Sequence, residues 1–335
     1  MVRRTGLTTI ADVAARAGVS PATVSRVMND RFAGEPAVAE RVTTAARELG
    51  YSPSPLGRAL ALGTTHAIAF VVPDLGNPMF QAVLSGLSKT AARDGYRVLV
   101  ADSAESPSDE PLLAAEIRRR TDAIVLCAPR MAGDRLATLA ASLQPLVVIN
   151  RPDLVLSAPS LAIDYESGVQ RIAQHLYDLG HRHIVYVAGT EKSVSNRFRI
   201  KGLDAFADSH RGVRIDRVDG GVTSADGIAA APHVLRTGAT AAIAINDLVA
   251  IGLMHALTEQ GVSIPGDISV TGMDDIPFAQ FSSPPLTTAS VPHVELGVEA
   301  WRRMAALLRN EAPGYDMVFQ PRVEVRGSTA PPHTA

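Results

Sequence analysis

The sequence predicts an N-terminal all-α helix-turn-helix domain followed by an α/β core of two doubly wound parallel-sheet lobes. Three observations predict it. The chain has 335 residues, more than one small hydrophobic core organises. Its first sixty residues carry helical periodicity with sharp capping punctuation. Beyond residue 64, short apolar runs alternate with helical stretches, the pattern of parallel strands covered on both faces.

In the head, Thr9 can N-cap a helix whose Ile10, Val13, Ala14 and Ala17 follow i, i+3, i+4, i+7. Asp12 sits in its first turn and Gly18 at its stop. Ser20 caps and Pro21 starts a second helix that runs to about Met28, and two short helices joined so tightly form a helix-turn-helix. Val24 and Val27 point inward, which leaves Pro21, Ala22, Ser25, Arg26 and Asn29 on the outer face. A third helix from about Pro36 offers Val38, Val42, Ala45 and Leu49 to the same core and ends at Gly50. Residues 51–63 form a connector in which Ser54 and Pro55 can begin a helix of about two turns, too short to persist alone in water. Residues 1–63 carry eight arginines against five acids, a net of +3 within a chain of net charge -2, so the head is the end suited to an anionic partner.

The core's apolar runs fall at 67–72, 97–101, 123–126, 146–149, 184–187, 241–245 and 268–271, with helices such as 79–94, 165–179 and 248–260 between them. They divide into a first lobe of about 64–163 and 292–326 and a second of about 164–291. Ligands of such sheets bind beyond the carboxyl ends of the strands. Polar residues gather there: Asp74 and Asn77 with Phe80, then Asn150 and Arg151, then 193–197, then Asn246 with Asp247, then Asp274 with Asp275. Asp247 and Asp275 fit helix caps better than ligand contacts. His181 and His183 have metal-like spacing but no carboxylate cluster beside them, which favours a structural role.

Several function classes have no anchor. The composition, 46% hydrophobic and 20% charged, is that of a folded globular chain. No run reaches the roughly 18 apolar residues of a membrane span, and the first residues lead into a capped helix rather than a secretory core, so a cytoplasmic protein is expected. The single cysteine, Cys127 in AIVLC, excludes an internal disulfide and reads as a buried strand residue. There is no GxGxxG after a strand, no GxxxxGK[ST], no GxSxG and no HExxH, so neither an enzyme nor a cofactor or metal site is expected.

The stretch TIADVAARAGVSPATVSRVMN, followed by RELGYSPSPLGRAL, resembles the DNA-binding head of the lactose-repressor (LacI/GalR) family of bacterial transcription regulators. The tracts VVPDLGNPMF, VVINRP, LGHRHIVYVAG, AIAINDLVAIG, GDISVTGMDD and PPLTTASVP resemble that family's periplasmic-binding-protein-like core. The resemblance implies a DNA-binding domain over 1–50, a hinge over 51–63 and an effector-binding and dimerisation domain over 64–335. In the head it implies that Thr9, Ser20, Pro21, Ala22, Thr23, Ser25, Arg26 and Asn29 meet a double-stranded, pseudo-palindromic operator, with Arg26 matched to a guanine. Hinge residues Arg58 and Leu60 would meet phosphate and wedge into the minor groove. Gly57, in place of the family's usual alanine, costs such a helix about 1 kcal/mol. In the core the resemblance implies that Asp74, Asn77, Phe80, Arg151, Arg197, Asn246 and Asp274 hold a small effector, a sugar or sugar derivative. Residues 219–222, DGGV, offer no aromatic ring to stack on it. The expected protein is a homodimeric repressor of a carbohydrate uptake or catabolism operon, with no cofactor. A purine or protein co-effector on the same architecture, or a solute receptor, are the alternatives.

Overall fold

Thr9 starts the first helix by a reciprocal cap: its hydroxyl accepts from the Asp12 backbone N–H, and Asp12 accepts from the Thr9 backbone. The computed structural model describes residues 8–29, 31–52 and 63–333, in two units, Met1–His66 and Ala67–Ala335. In the first, α1 (Ile10–Ala17) ends on left-handed Gly18, α2 (Pro21–Met28) begins at the Ser20 cap, and α3 (Pro36–Glu48) closes the bundle. Val13, Ala14 and Ala17 of α1, Val24 of α2 and Val42, Ala45 and Ala46 of α3 form its core. The expected hinge helix, with Gly57, Arg58 and Leu60, lies outside the described residues.

The second unit contains two six-stranded sheets of one plan. The first sheet takes β1 (Ala67–Val72), β2 (Arg97–Asp102), β3 (Ala123–Cys127), β4 (Leu146–Ile149) and β5 (Ser160–Ile163), with α4 (Pro78–Arg93), α5 (Glu110–Arg118) and α6 (Gly133–Ala140) between them. The second takes β6 (His183–Ala188), β7 (Arg214–Asp219), β8 (Ala241–Ala244), β9 (Ser269–Asp274) and β10 (Thr287–Ser290). Its helices are α7 (Tyr165–Asp178), α8 (Val194–Ser209), α9 (Ser224–Thr237) and α10 (Asp247–Glu259). After β10 come α11 (His293–Leu308), β11 (Met317–Phe319) and β12 (Arg322–Glu324). The strand orders, β11-β5-β4-β3-β1-β2 and β12-β10-β9-β8-β6-β7, match position by position. All pairings are parallel except β10 with β12.

The chain passes between the lobes three times: after β5, after β10, and between β11 and β12. This corrects the expectation that 292–326 stay with the first lobe. β11 pairs with β5, but β12 pairs with β10. Beyond it Arg326 bonds Asp275 and the Leu286 carbonyl, and Ser328 bonds the Val270 carbonyl. Both lobes also have close helix crossings built on glycine. A Cβ at Gly86 of α4 or Gly297 of α11 would run into backbone of the other helix, and so would one at Gly227 of α9 or Gly252 of α10.

Candidate functional site

In the head, α2 turns a face to solvent. Pro21, Ala22 and Arg26 are exposed on it. The neighbouring hydroxyls are already engaged: Ser20 Oγ accepts from the Thr23 backbone N–H at 3.1 Å and lies 2.9 Å from Thr23 Oγ1. Thr9 Oγ1 donates to Asp12, and the amide of Asn29 donates to the Ser25 carbonyl at 2.8 Å. These four side chains shape the helix ends, while the exposed Arg26 side chain makes, among the described residues, one 3.3 Å bond from Nε to the Ala22 carbonyl.

In the core, the strand order reverses between β1 and β3 and again between β6 and β8, and such switch points open crevices at the carboxyl ends of the strands. The two crevices face each other across one cavity of about 40 Å³. Asp74, Asn77, Phe80, Glu105 and Arg130 line it, and Tyr165, Ser193, Ser195, Arg199, Asn246 and Asp274 complete it from the second lobe. Asn77 and Asn246 each spend their amide oxygen capping a helix, α4 and α10, and Asn246 also donates to the Val222 carbonyl. Arg130 is neutralised in place, with Nε and one terminal nitrogen on the two Glu105 oxygens at 2.6 and 2.7 Å.

Arg199 and Asp274 are different. Arg199 is buried, its guanidinium lies 4.0 Å from the Tyr165 ring centroid, and its Nε donates to the Met273 sulfur. Asp274 is buried in a left-handed backbone conformation, φ 111°, that only a special site holds in a non-glycine residue. Its Oδ1 has no hydrogen-bond partner among the described residues. Burial raises this carboxyl to about 7, and the Arg199 charge opposes the shift. The cavity thus holds a buried cation and a buried carboxyl, neither satisfied by the other, in a form that a ligand rich in hydroxyl groups can satisfy.

The structure places Asp74, Asn77, Phe80, Asn246 and Asp274 in the cavity, and two expected residues outside it. Arg151 is buried behind the first-lobe wall, donating to the Met131 carbonyl at 2.9 Å and to Asp153. Arg197 points to the rim, its side chain 55% exposed. Two residues apart on a helix is half a turn of rotation, so Arg197 and Arg199 cannot face the same way. The inward stripe of α8 is Asn196, Arg199, Leu203 and Phe206, and counting from the Ser193 cap would have found it. Glu105, Arg130 and Tyr165 escaped the sequence because nothing local distinguishes them. Asp247 is fully buried, bonded by Thr288 and the Ile276 N–H, and Asp275 pairs with Arg326, so neither lines the cavity. The two histidines are structural: His181 contacts Thr240, Ser269 and the Ala330 carbonyl, and His183 contacts Asp216.

The description of bacterial regulatory proteins of the lacI family matches residues 9–54, and that of the periplasmic binding protein-like domain matches residues 173–329. The chain is 31% identical over 328 residues to the HTH-type transcriptional repressor CytR of Escherichia coli strain K12, covering 96% of each. The chain belongs to the lacI family of bacterial regulatory proteins. A lac repressor dimer bound to operator and an anti-inducer is 26% identical with a TM-score of 0.82, covering 97% of this chain and 100% of that one. A complex of the regulator CelR with cellobiose is 26% identical with a TM-score of 0.69, over 96% and 100%. As a lacI-family member this chain is a helix-turn-helix transcriptional regulator with a binding-protein-like core, and its relatives are regulators rather than enzymes. Among the described residues no helix is long and apolar enough to cross a membrane, and no group of His, Cys, Asp and Glu could hold a metal ion.

Proposed function

We propose that this lacI-family regulator is a cytoplasmic homodimeric repressor of a carbohydrate uptake or catabolism operon, released or engaged by a small polyhydroxylated effector in the core cleft. The observation that carries the effector class is the pair of buried, mutually unsatisfied groups, Arg199 and Asp274, on the second-lobe wall. An arginine fork and a carboxyl in one cavity match the acceptors and donors of neighbouring hydroxyls. Phe80 supplies one apolar wall from the first lobe. A relative bound to cellobiose and another bound to operator as a dimer support the same reading.

The cavity is narrow, about 40 Å³, room for a few waters, so taking in a sugar calls for the lobes to part and close again around it. A ligand touching both lobes gains contacts that only the closed form offers, and that difference is what shifts the population of the form able to bind DNA. The test is calorimetric binding of a panel of sugars, nucleosides and sugar phosphates to the full-length protein, with operator affinity measured alongside. Arg199→Ala and Asp274→Ala each remove a buried charged partner, which costs about 2 to 5 kcal/mol, more than tenfold in affinity. Operator binding without effector survives both. Sugar response intact in both variants would place the effector elsewhere, and binding confined to nucleosides would replace the sugar by a base.

A further inference from the structure

Arg197 on α8 and Asp153, in the segment after β4, belong to different lobes, yet their charged ends lie 3.5 Å apart at the rim of the cleft. Among the described residues, this ion pair joins the lobes away from the crossing segments. Asp153 is not a loose surface acid. The buried Arg151 donates to its Oδ1 from Nε at 3.1 Å, and Arg151 is itself fixed by the carbonyl of Met131 and, at 3.4 Å, that of Pro129. The first lobe therefore presents a carboxylate aimed out of its own wall, held by a cation that cannot move. Arg197 has no other ion-pair partner among the described residues, and its helix is fixed to the second lobe by the Asn196, Leu203 and Phe206 stripe.

We propose that Arg151, Asp153 and Arg197 form a latch that sets the balance between open and closed lobes without touching the effector. Arg151 is the anchor, Asp153 the catch, and Arg197 the arm that engages only when the lobes meet. The cavity lining contains none of the three, so the latch changes how often the cleft is shut rather than what fits inside it. It rests on the two-lobe closure of the proposed function only for its effect on the sugar response, since the latch itself is read without any ligand.

The test labels Arg135→Cys in the first lobe and Lys192→Cys in the second with nitroxides in the full-length protein, diluted with unlabelled chains. Both positions are exposed, and Cys127 is buried. Pulsed electron resonance then gives the population of short, closed distances without ligand. Arg197→Ala and Asp153→Asn should each raise the open-to-closed ratio about two- to fivefold, the range of a half-exposed ion pair. Arg197→Lys should keep most of the closure. The double variant should match either single one, because the second change finds no partner left to lose. Arg197→Glu should open the cleft further in the parent, but not in the Asp153→Asn background. If Asp153→Asn fails to fold because Arg151 loses its counter-charge, the three Arg197 variants decide alone. Distances unmoved by Arg197→Ala and Arg197→Glu, or effects of the two single changes that simply add, overturn the latch. Loss of closure with an unchanged effector preference would leave the assigned effector site standing.

Discussion

Asp274 stores free energy in its protonation. Its ordinary value is 3.8, and burial moves it to about 7. A carboxyl raised in the folded state contributes stability that is fully present below the unfolded value and is lost as pH rises through the folded one. At 1.36 kcal/mol per unit the full shift corresponds to roughly 4 kcal/mol. Asp274→Asn, which cannot ionise, should therefore match the wild type near pH 4 and melt at a higher temperature above pH 7. A constant difference across that range would mean that Asp274 is ionised throughout and already satisfied. The same carboxyl is the group whose loss should weaken effector binding more than tenfold, so stability and function pull in opposite directions at this residue. In the head, Arg26→Ala should cost about 1 to 3 kcal/mol at one base pair of the operator and relax discrimination there, whereas a uniform loss on all sequences would make Arg26 a phosphate contact.

At the scale of elements, what the sequence revealed depended on burial. Strands such as β1, β3, β6 and β8 are buried on both faces and read as apolar runs, AIAFVV and AIVLC among them. β7 is an edge strand with the sequence RIDRVD, half exposed, and its charges hide it. β10, TTAS, is buried but polar, because Thr287 and Thr288 spend their hydroxyls on tertiary hydrogen bonds that no local pattern announces. The reach of β12 and residues up to Ala330 back to the second lobe is likewise a pairing between segments far apart in sequence. Within the site, Asp74, Asn77, Asn246 and Asp274 were legible because they lie at or just beyond the ends of apolar strands, whereas Arg199 depends on helix phase and was displaced by two residues. The glycine crossings give a test of packing. Gly297→Ala would press a methyl group into the Val83 carbonyl of α4, backbone that cannot yield as a side chain can. Denaturation of the core should show a loss of about 1 to 3 kcal/mol. Val294→Ala, at an exposed site on the same helix, should change stability by less than about 0.5 kcal/mol.

At the scale of the whole molecule, a signal from the cleft must reach DNA through residues 51–63, the connector between head and core. A helix of about two turns is far below the length at which isolated helices hold in water. The short helix that the sequence predicts there would need free energy from elsewhere to form, and two copies in the minor groove of one operator would supply it. On that expectation, operator affinity would follow how closely two cores bring their connectors together, and lobe closure would change it. Gly57 would weaken such a helix further, because glycine within a helix costs about 1 kcal/mol relative to alanine. Gly57→Ala should therefore tighten operator binding by roughly fivefold or more and blunt the response to effector, since the hinge would need less help to fold. Leu60→Ala should do the reverse, weakening operator binding while leaving binding to unrelated duplex nearly intact, because non-specific affinity rests on phosphate contacts alone. Fluorescence anisotropy with operator and with scrambled duplex, at one salt concentration, separates the two. Equal losses on both duplexes in Leu60→Ala would remove the wedge, and an unchanged operator affinity in Gly57→Ala would show that the hinge is not the element whose folding the DNA drives.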